Sequence, residues 1–248
     1  MKKLFLLSLL ALSVTGCDKH TESASFTPIF ANNSNIFGFD ALQGPIKSFT
    51  QRMIGQDGTT VAAYSAELDQ RGCFTSLDFN FPTLGSMGKN LVKVAGFYVD
   101  SKTNKKEFAI DNECNIIKSF GSSTVFENDT ANSPVVYKRN DKGFIIESDV
   151  EFTNKVIDKY EYTSNGFPSM QERVKSLYTM KMVSHYSQQD KNPFNFTSES
   201  FHDGKLALSM TRECKTDSYG NPVSCEFDVR KVDGSVDSYT ITNNIEYF

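Results

Sequence analysis

Short polar clusters ending in glycine punctuate this chain from residue 56 to residue 234, and they leave few folds open. They are Gln56-Asp57-Gly58, Asp69-Gln70-Arg71-Gly72, Asn140-Asp141-Lys142-Gly143, Ser164-Asn165-Gly166, His202-Asp203-Gly204, Asp217-Ser218-Tyr219-Gly220 and Val232-Asp233-Gly234. Asp and Asn tolerate the left-handed backbone region and Gly enters it freely, as a tight connection between antiparallel strands requires. Between clusters, apolar and polar residues alternate. Over 174–186, Val174, Tyr178, Met180, Met182 and Tyr186 share one parity, and Lys175, Thr179, Lys181 and His185 the other. Leu206, Leu208, Met210 and Cys214 oppose Lys205, Ser209, Thr211 and Glu213 in the same way. Cys225, Phe227 and Val229 oppose Glu226, Asp228 and Arg230, and Tyr239, Ile241, Ile245 and Tyr247 share one side. A period of two marks half-buried strands, and helical periodicity is scarce. The expected fold class is therefore all-β: an antiparallel meander of hairpins in a twisted sheet, sandwich or barrel.

A faint internal repeat agrees with the meander. Residues 160–168, Tyr-Glu-Tyr-Thr-Ser-Asn-Gly-Phe-Pro, resemble residues 214–222, Cys-Lys-Thr-Asp-Ser-Tyr-Gly-Asn-Pro, and both resemble the Tyr-Asp type hairpin repeats of secreted bacterial proteins. Residues 126–134 are the candidate break between two halves, or one long surface loop.

The N-terminus has a secretory pattern: Met1-Lys2-Lys3 is basic, residues 4–14 are apolar, and Val14-Thr15-Gly16 ends the run with small residues before Cys17. That run of 11 positions falls short of the roughly 20 that a helix needs to cross a bilayer. Val14-Thr15-Gly16-Cys17 resembles a lipobox, in which the cysteine thiol takes a diacylglyceryl group as a thioether and cleavage frees its amine for a further acyl chain. One acyl chain holds a protein only marginally, whereas several anchor it stably. The expected division is a leader at 1–16, a lipidated terminus and polar tether at 17–25, and a periplasmic β domain at 26–248. Asp18 resembles the inner-membrane retention mark of enterobacterial lipoproteins. The expected location is thus the periplasmic face of the inner membrane, with the inner leaflet of the outer membrane as the alternative.

Four further cysteines, Cys73, Cys114, Cys214 and Cys225, would lie in an oxidising compartment, so two disulfides are expected. Cys214 and Cys225 sit symmetrically about Tyr219-Gly220, where a hairpin sets them opposite each other. Cys73 with Cys114 follows by elimination. No cysteine pair has zinc-site spacing, and His20, His185 and His202 are scattered, so no metal or other cofactor is expected.

The formal charge of −4 becomes −6 once Lys2 and Lys3 leave with the leader, which argues against a nucleic-acid partner. Nucleophile elbows, phosphate loops and dinucleotide fingerprints are missing from the sequence. His185 and His202 read as an exposed strand residue and a turn residue. Glu151, Asp158 and Glu161 are carboxylates with nothing to place any two together for sugar hydrolysis. Lys102, Lys105 and Lys106 form a basic cluster that would suit acidic headgroups, but Asp100 and Glu107 flank it as in a solvated turn.

Several stretches together resemble the YnfC-like lipoproteins of enterobacteria over nearly the full chain. They are Cys17-Asp18, residues 39–47 (Phe-Asp-Ala-Leu-Gln-Gly-Pro-Ile-Lys), Gly72-Cys73-Phe74, Cys214, Asn221-Pro222-Val223, Cys225 and the ending from Tyr239 to Phe248. The resemblance implies a cell-membrane lipoprotein carrying S-diacylglycerol and N-palmitate on Cys17, and it brings no activity. A non-enzymatic envelope module binding a protein or glycan partner is the expected function, with a periplasmic hydrolase of glycan or peptide as the alternative. Converging carboxylates in a cleft would favour the hydrolase, and an open flat sheet the binder.

Overall fold

The computed structural model describes residues 27–84, 87–120, 133–153, 155–174, 178–186 and 192–248. Helix α1 (Pro28–Phe37) precedes β1 (Ile46–Gly55), β2 (Thr60–Leu68), β3 (Phe74–Phe81), β4 (Met87–Val94) and β5 (Phe97–Asp100). Then come β6 (Lys106–Ile110), β7 (Ile116–Ser119), β8 (Val135–Arg139), β9 (Ile145–Val150), β10 (Lys155–Tyr162) and β11 (Pro168–Val174). The last five strands are β12 (Thr179–Tyr186), β13 (Phe196–His202), β14 (Lys205–Thr216), β15 (Pro222–Lys231) and β16 (Val236–Tyr247). Each strand pairs antiparallel with its sequence neighbours, and β1 closes on β16 with Phe49 opposite Ile245. Of the three expected forms of the meander, the barrel is the one built, and closure leaves no unpaired edge. Strands from both sides of the candidate break at 126–134 belong to this one barrel. Residues 126–132 themselves lie outside the described residues.

The alternation that marks the strands sorts their faces. On β14 to β16 the outward positions carry Thr211, Glu213, Glu226, Asp228, Thr240 and Glu246, all exposed, so this wall meets water rather than lipid. One stretch differs from its reading as a single strand: β11 ends at Val174 and β12 starts at Thr179, and these two pair across the hairpin. Val174 thus shares a face with Thr179, not with Met180, because a turn inside the stretch resets the parity.

Helix α1 runs against the expectation of an all-strand domain. Thr27 caps it by accepting the Phe30 N–H, Pro28 opens it, and Gly38 ends it at φ 86°. Its apolar stripe was illegible because the helix lies inside one end of the barrel and is buried nearly all round, with Phe30, Ala31, Asn32, Asn33, Ile36 and Phe37 all covered. Phe30 meets Phe49 and Phe74, and Phe37 meets Phe79 and Phe108, so β1, β3 and β6 enclose it. Asn32 pins the other side like a strand residue, donating Nδ2 to the Gly143 carbonyl (2.9 Å) and accepting the Ile145 N–H at Oδ1 (2.8 Å).

Both expected disulfides are present, Cys73–Cys114 and Cys214–Cys225, the latter directly opposite on β14 and β15 and facing inward as their parity requires. The hairpins alternate between the two ends of the barrel, and those near both disulfides lie at the end that holds α1. That end is also where the chain enters β1 and leaves β16.

Candidate functional site

The segment after α1 folds back into the barrel as a second part of the plug. Phe39, Ala41 and Leu42 are buried, and between them Asp40 is held from three directions. Arg212 of β14 forks onto its carboxylate, Nη1 to Oδ1 at 2.6 Å and Nη2 to Oδ2 at 2.7 Å. Gln51 of β1 and Asn243 of β16 donate to Oδ2 as well (2.8 and 3.1 Å). Arg212 also points Nε at Cys214 Sγ (3.2 Å) and Nη2 at Cys225 Sγ (3.0 Å), so four of its N–H groups have partners. Beyond Asp40, the backbone of Gln43 is bonded on both sides by the fully buried Asn221, whose Oδ1 accepts the Gln43 N–H (2.7 Å) and whose Nδ2 donates to the Gln43 carbonyl (2.8 Å).

A cavity of about 450 Å³, partly open to solvent, lies between this plug and the walls β1 to β3 and β11 to β16. Phe39, Ala41, Phe167 and Phe194 border it at the plugged end, and its walls run to Met53, Val61, Met182 and Met210. Tyr64 and Tyr186 border it too, and burial raises both phenol pKa values well above the ordinary value, with the Asp40 charge adding to the effect at Tyr64, so both are neutral. Asp40 and Arg212 are the only charged side chains among the residues lining it. Ser184 and Ser198 lie directly opposite each other on β12 and β13 and line it as well. Among the described residues, buried Ser198 Oγ has no hydrogen-bond partner.

The residues singled out in the sequence do not converge here. His185 is exposed on the outside of β12, 3.6 Å from Glu199, and exposed His202 lies beside Asp203 at a turn and against Tyr178. Glu151 pairs with Lys118 (2.6 Å). Asp158 is buried with Oδ1 on Arg173 Nε (2.6 Å) and Oδ2 on Ser148 Oγ (2.9 Å), while Glu161 faces outward. Lys102, Lys105 and Lys106 lie around the β5–β6 turn, at the end away from α1, with Asp100 accepting the Lys102 N–H and Lys106 over the Phe97 ring. Cys17, Asp18 and His20 lie outside the described residues. No cluster of three or more His, Cys, Asp or Glu that could hold a metal occurs among the described residues. The flat sheet face expected of a binder is replaced by an enclosed interior, because the sheet closes on itself.

The sequence reading passed over Arg212, Asn243, Gln51 and Ser198. The signal was available: Arg212 interrupts the apolar parity of Leu208, Met210 and Cys214, and Asn243 interrupts that of Ile241 and Ile245. A charge on the inward parity of a strand has to be paired inside.

The whole chain, residues 1–248, matches the model of an uncharacterised protein family, UPF0257. It belongs to that family. Relatives named UPF0257 lipoprotein YnfC in Salmonella typhi and in Salmonella typhimurium are each 31% identical to it over 254 residues, covering 100% of both chains. The YnfC-like resemblance is thereby established, and the UPF0257 chain is a lipoprotein by kinship. Among solved structures it is similar to a porin-like protein from Bacteroides uniformis, with a TM-score of 0.53 and 11% identity, over 82% of this chain and 98% of that one. That likeness concerns the barrel alone. The family-like stretch 39–47 supplies the second part of the plug and the start of β1, Asn221 grips it at Gln43, and Cys214 and Cys225 support the Arg212 that holds Asp40.

Proposed function

We propose that this lipoprotein is a non-enzymatic binding protein of the cell envelope that holds a small, largely apolar molecule in its barrel. The cavity carries the reading: about 450 Å³ falls in the range of small-molecule sites, and the surface it exposes is mainly apolar, with aromatic side chains and Met53, Met182 and Met210 among its walls. For hydrolysis, neither Asp158 nor Glu151 is available as a free carboxylate, since each is held by a cation. Lipid on Cys17 would tether the plugged end, from which Thr27 leads back to the anchor, and Asp18 favours the periplasmic face of the inner membrane.

Native mass spectrometry of the full lipidated chain, isolated from envelopes in lipid nanodiscs, tests the reading. The wild type should carry a co-purified small molecule that the cavity-filling variant Met210→Trp lacks. Identical spectra from the two would refute it. Membrane fractionation of Asp18→Ser should move the protein to the outer membrane.

A further inference from the structure

We infer that the cavity selects an uncharged amphiphile, an acyl or similarly apolar body ending in one hydroxyl or ester group, and discriminates against the corresponding carboxylate. This deepens the proposed binding role and rests on it. The argument is a charge account of the lining. Asp40 and Arg212 cancel each other, and four of the five Arg212 N–H groups are committed to Asp40 and to the sulfurs of Cys214 and Cys225, while Gln51 and Asn243 also donate to Asp40. An entering anion would meet no free cation, and it would face the Asp40 carboxylate unless the fork opened, which would strand a buried charge. An entering cation would meet the reverse arrangement, with all of Asp40's negative charge already held. Tyr64 and Tyr186 stay protonated and add no charge.

Among the polar groups that border the cavity outside the Asp40 network, Ser198 stands apart. Its hydroxyl is buried and without a partner among the described residues, and Ser184 lies directly opposite it on the adjacent strand. A hydroxyl can both donate and accept, which suits a neutral hydroxyl or carbonyl, but one hydroxyl does not replace the hydration of a carboxylate. Met182 and Met210, on the same two walls as the serines or next to them, give the apolar body adaptable contacts.

The test uses the full lipidated chain reconstituted in phosphatidylcholine vesicles and two photoreactive probes with the same diazirine-bearing acyl chain, one a monoacylglycerol and one the free fatty acid at neutral pH. After irradiation, labelled peptides are mapped. The monoacylglycerol should label the cavity strands β12 to β14 at least about tenfold more than the fatty acid, given the cost of burying an unpaired charge. Ser198→Ala should lower that labelling about fivefold, the weight of one hydrogen bond. Met210→Trp and, independently, Met182→Trp should abolish it, with intact disulfides on non-reducing gels showing that the barrels are formed. Equal or stronger labelling by the fatty acid would overturn the neutral-ligand inference and leave the binding role standing. No labelling of the cavity strands by either probe, or labelling that survives both filling variants, would overturn both.

Discussion

The hairpins at 217–221 and 231–235 close with the same backbone bonds, the first residue's N–H donating to the fifth carbonyl and the fourth N–H to the first carbonyl. In both, the fourth residue is a glycine in the left-handed region, Gly220 at φ 82° and Gly234 at φ 86°. They differ in what the side chains do. At the plugged end, Asp217 caps its own turn by accepting the Asn221 N–H, and Asn221 turns inward to grip Gln43. Four other plugged-end turns repeat the first step: Asp69, Asp111, Asn140 and Thr163 accept the N–H of Cys73, Asn115, Phe144 and Phe167. Each of those fifth residues is buried. At the other end Lys231 and Gly55 occupy the first position, and the fifth residues, Ser235 and Thr59, are exposed. One turn geometry thus serves two purposes. Where the first side chain accepts the fifth N–H, the fifth residue points inward, and Asn221 uses that place to hold the plug; at the other end the third residue, Asp57 or Asp233, accepts that N–H and the turn only reverses the chain.

The largest expected effect of this difference is electrostatic. Asp40→Ala at the plugged end leaves Arg212 buried and unpaired and should cost about 3–5 kcal/mol in denaturant unfolding of the full chain. Asp237→Ala at the other end removes the half-exposed partner of Lys231 and should cost below about 1 kcal/mol. Equal losses would mean that the plug does not organise the barrel.

A smaller contrast isolates packing from backbone strain. Gly44 in the plug and Gly234 in the far turn share a φ of 86°, so an alanine at either adopts the left-handed region, at roughly 1–2 kcal/mol. A Cβ at Gly234 meets nothing within 4 Å, whereas at Gly44 it would lie 2.9 Å from Tyr219 Cδ1, whose ring stacks on Tyr247. Gly44→Ala should therefore cost about 1–3 kcal/mol more than Gly234→Ala, read from the two unfolding midpoints.

These contrasts also mark what was legible in the sequence. The turn clusters and the inward cysteines follow from local rules, since a period of two and a polar-Gly corner act within a few residues. The repeat seen at 160–168 and 214–222 is real at the turn level and wider than it looked. At 111–115 Cys114 takes the left-handed position at φ 64° where glycine stands elsewhere, and this hides the motif. Closure of the sheet was open, because the pairing of β1 with β16 joins the first strand to the last, Phe49 to Ile245, and no local pattern encodes it. Helix α1 and the roles of Asp40 and Asn221 were also out of reach, since each depends on partners from 11 to more than 170 residues away.

The subtlest contrast lies in acid. At the plugged end, burial pushes the Asp111 pKa up, but the N–H of Asn115, its side-chain amide and Arg139 outweigh that, and the net pKa lies below 3.8. A carboxylate with a depressed native pKa contributes stability that is present above its unfolded value and is lost as pH falls through the native one. Asp111→Asn keeps an acceptor oxygen for the turn and loses the charge opposite Arg139. The stability gap between wild type and Asp111→Asn should thus be widest at neutral pH and shrink as pH drops below 3.8. Asp233 at the far end is also depressed, by the hydroxyl and N–H of Ser235, but it is fully exposed. Asp233→Asn should therefore show a smaller gap at neutral pH. Urea midpoints for the three chains across that pH range decide it, and an Asp233→Asn gap as wide as that of Asp111→Asn would show that acid sensitivity does not follow the plug.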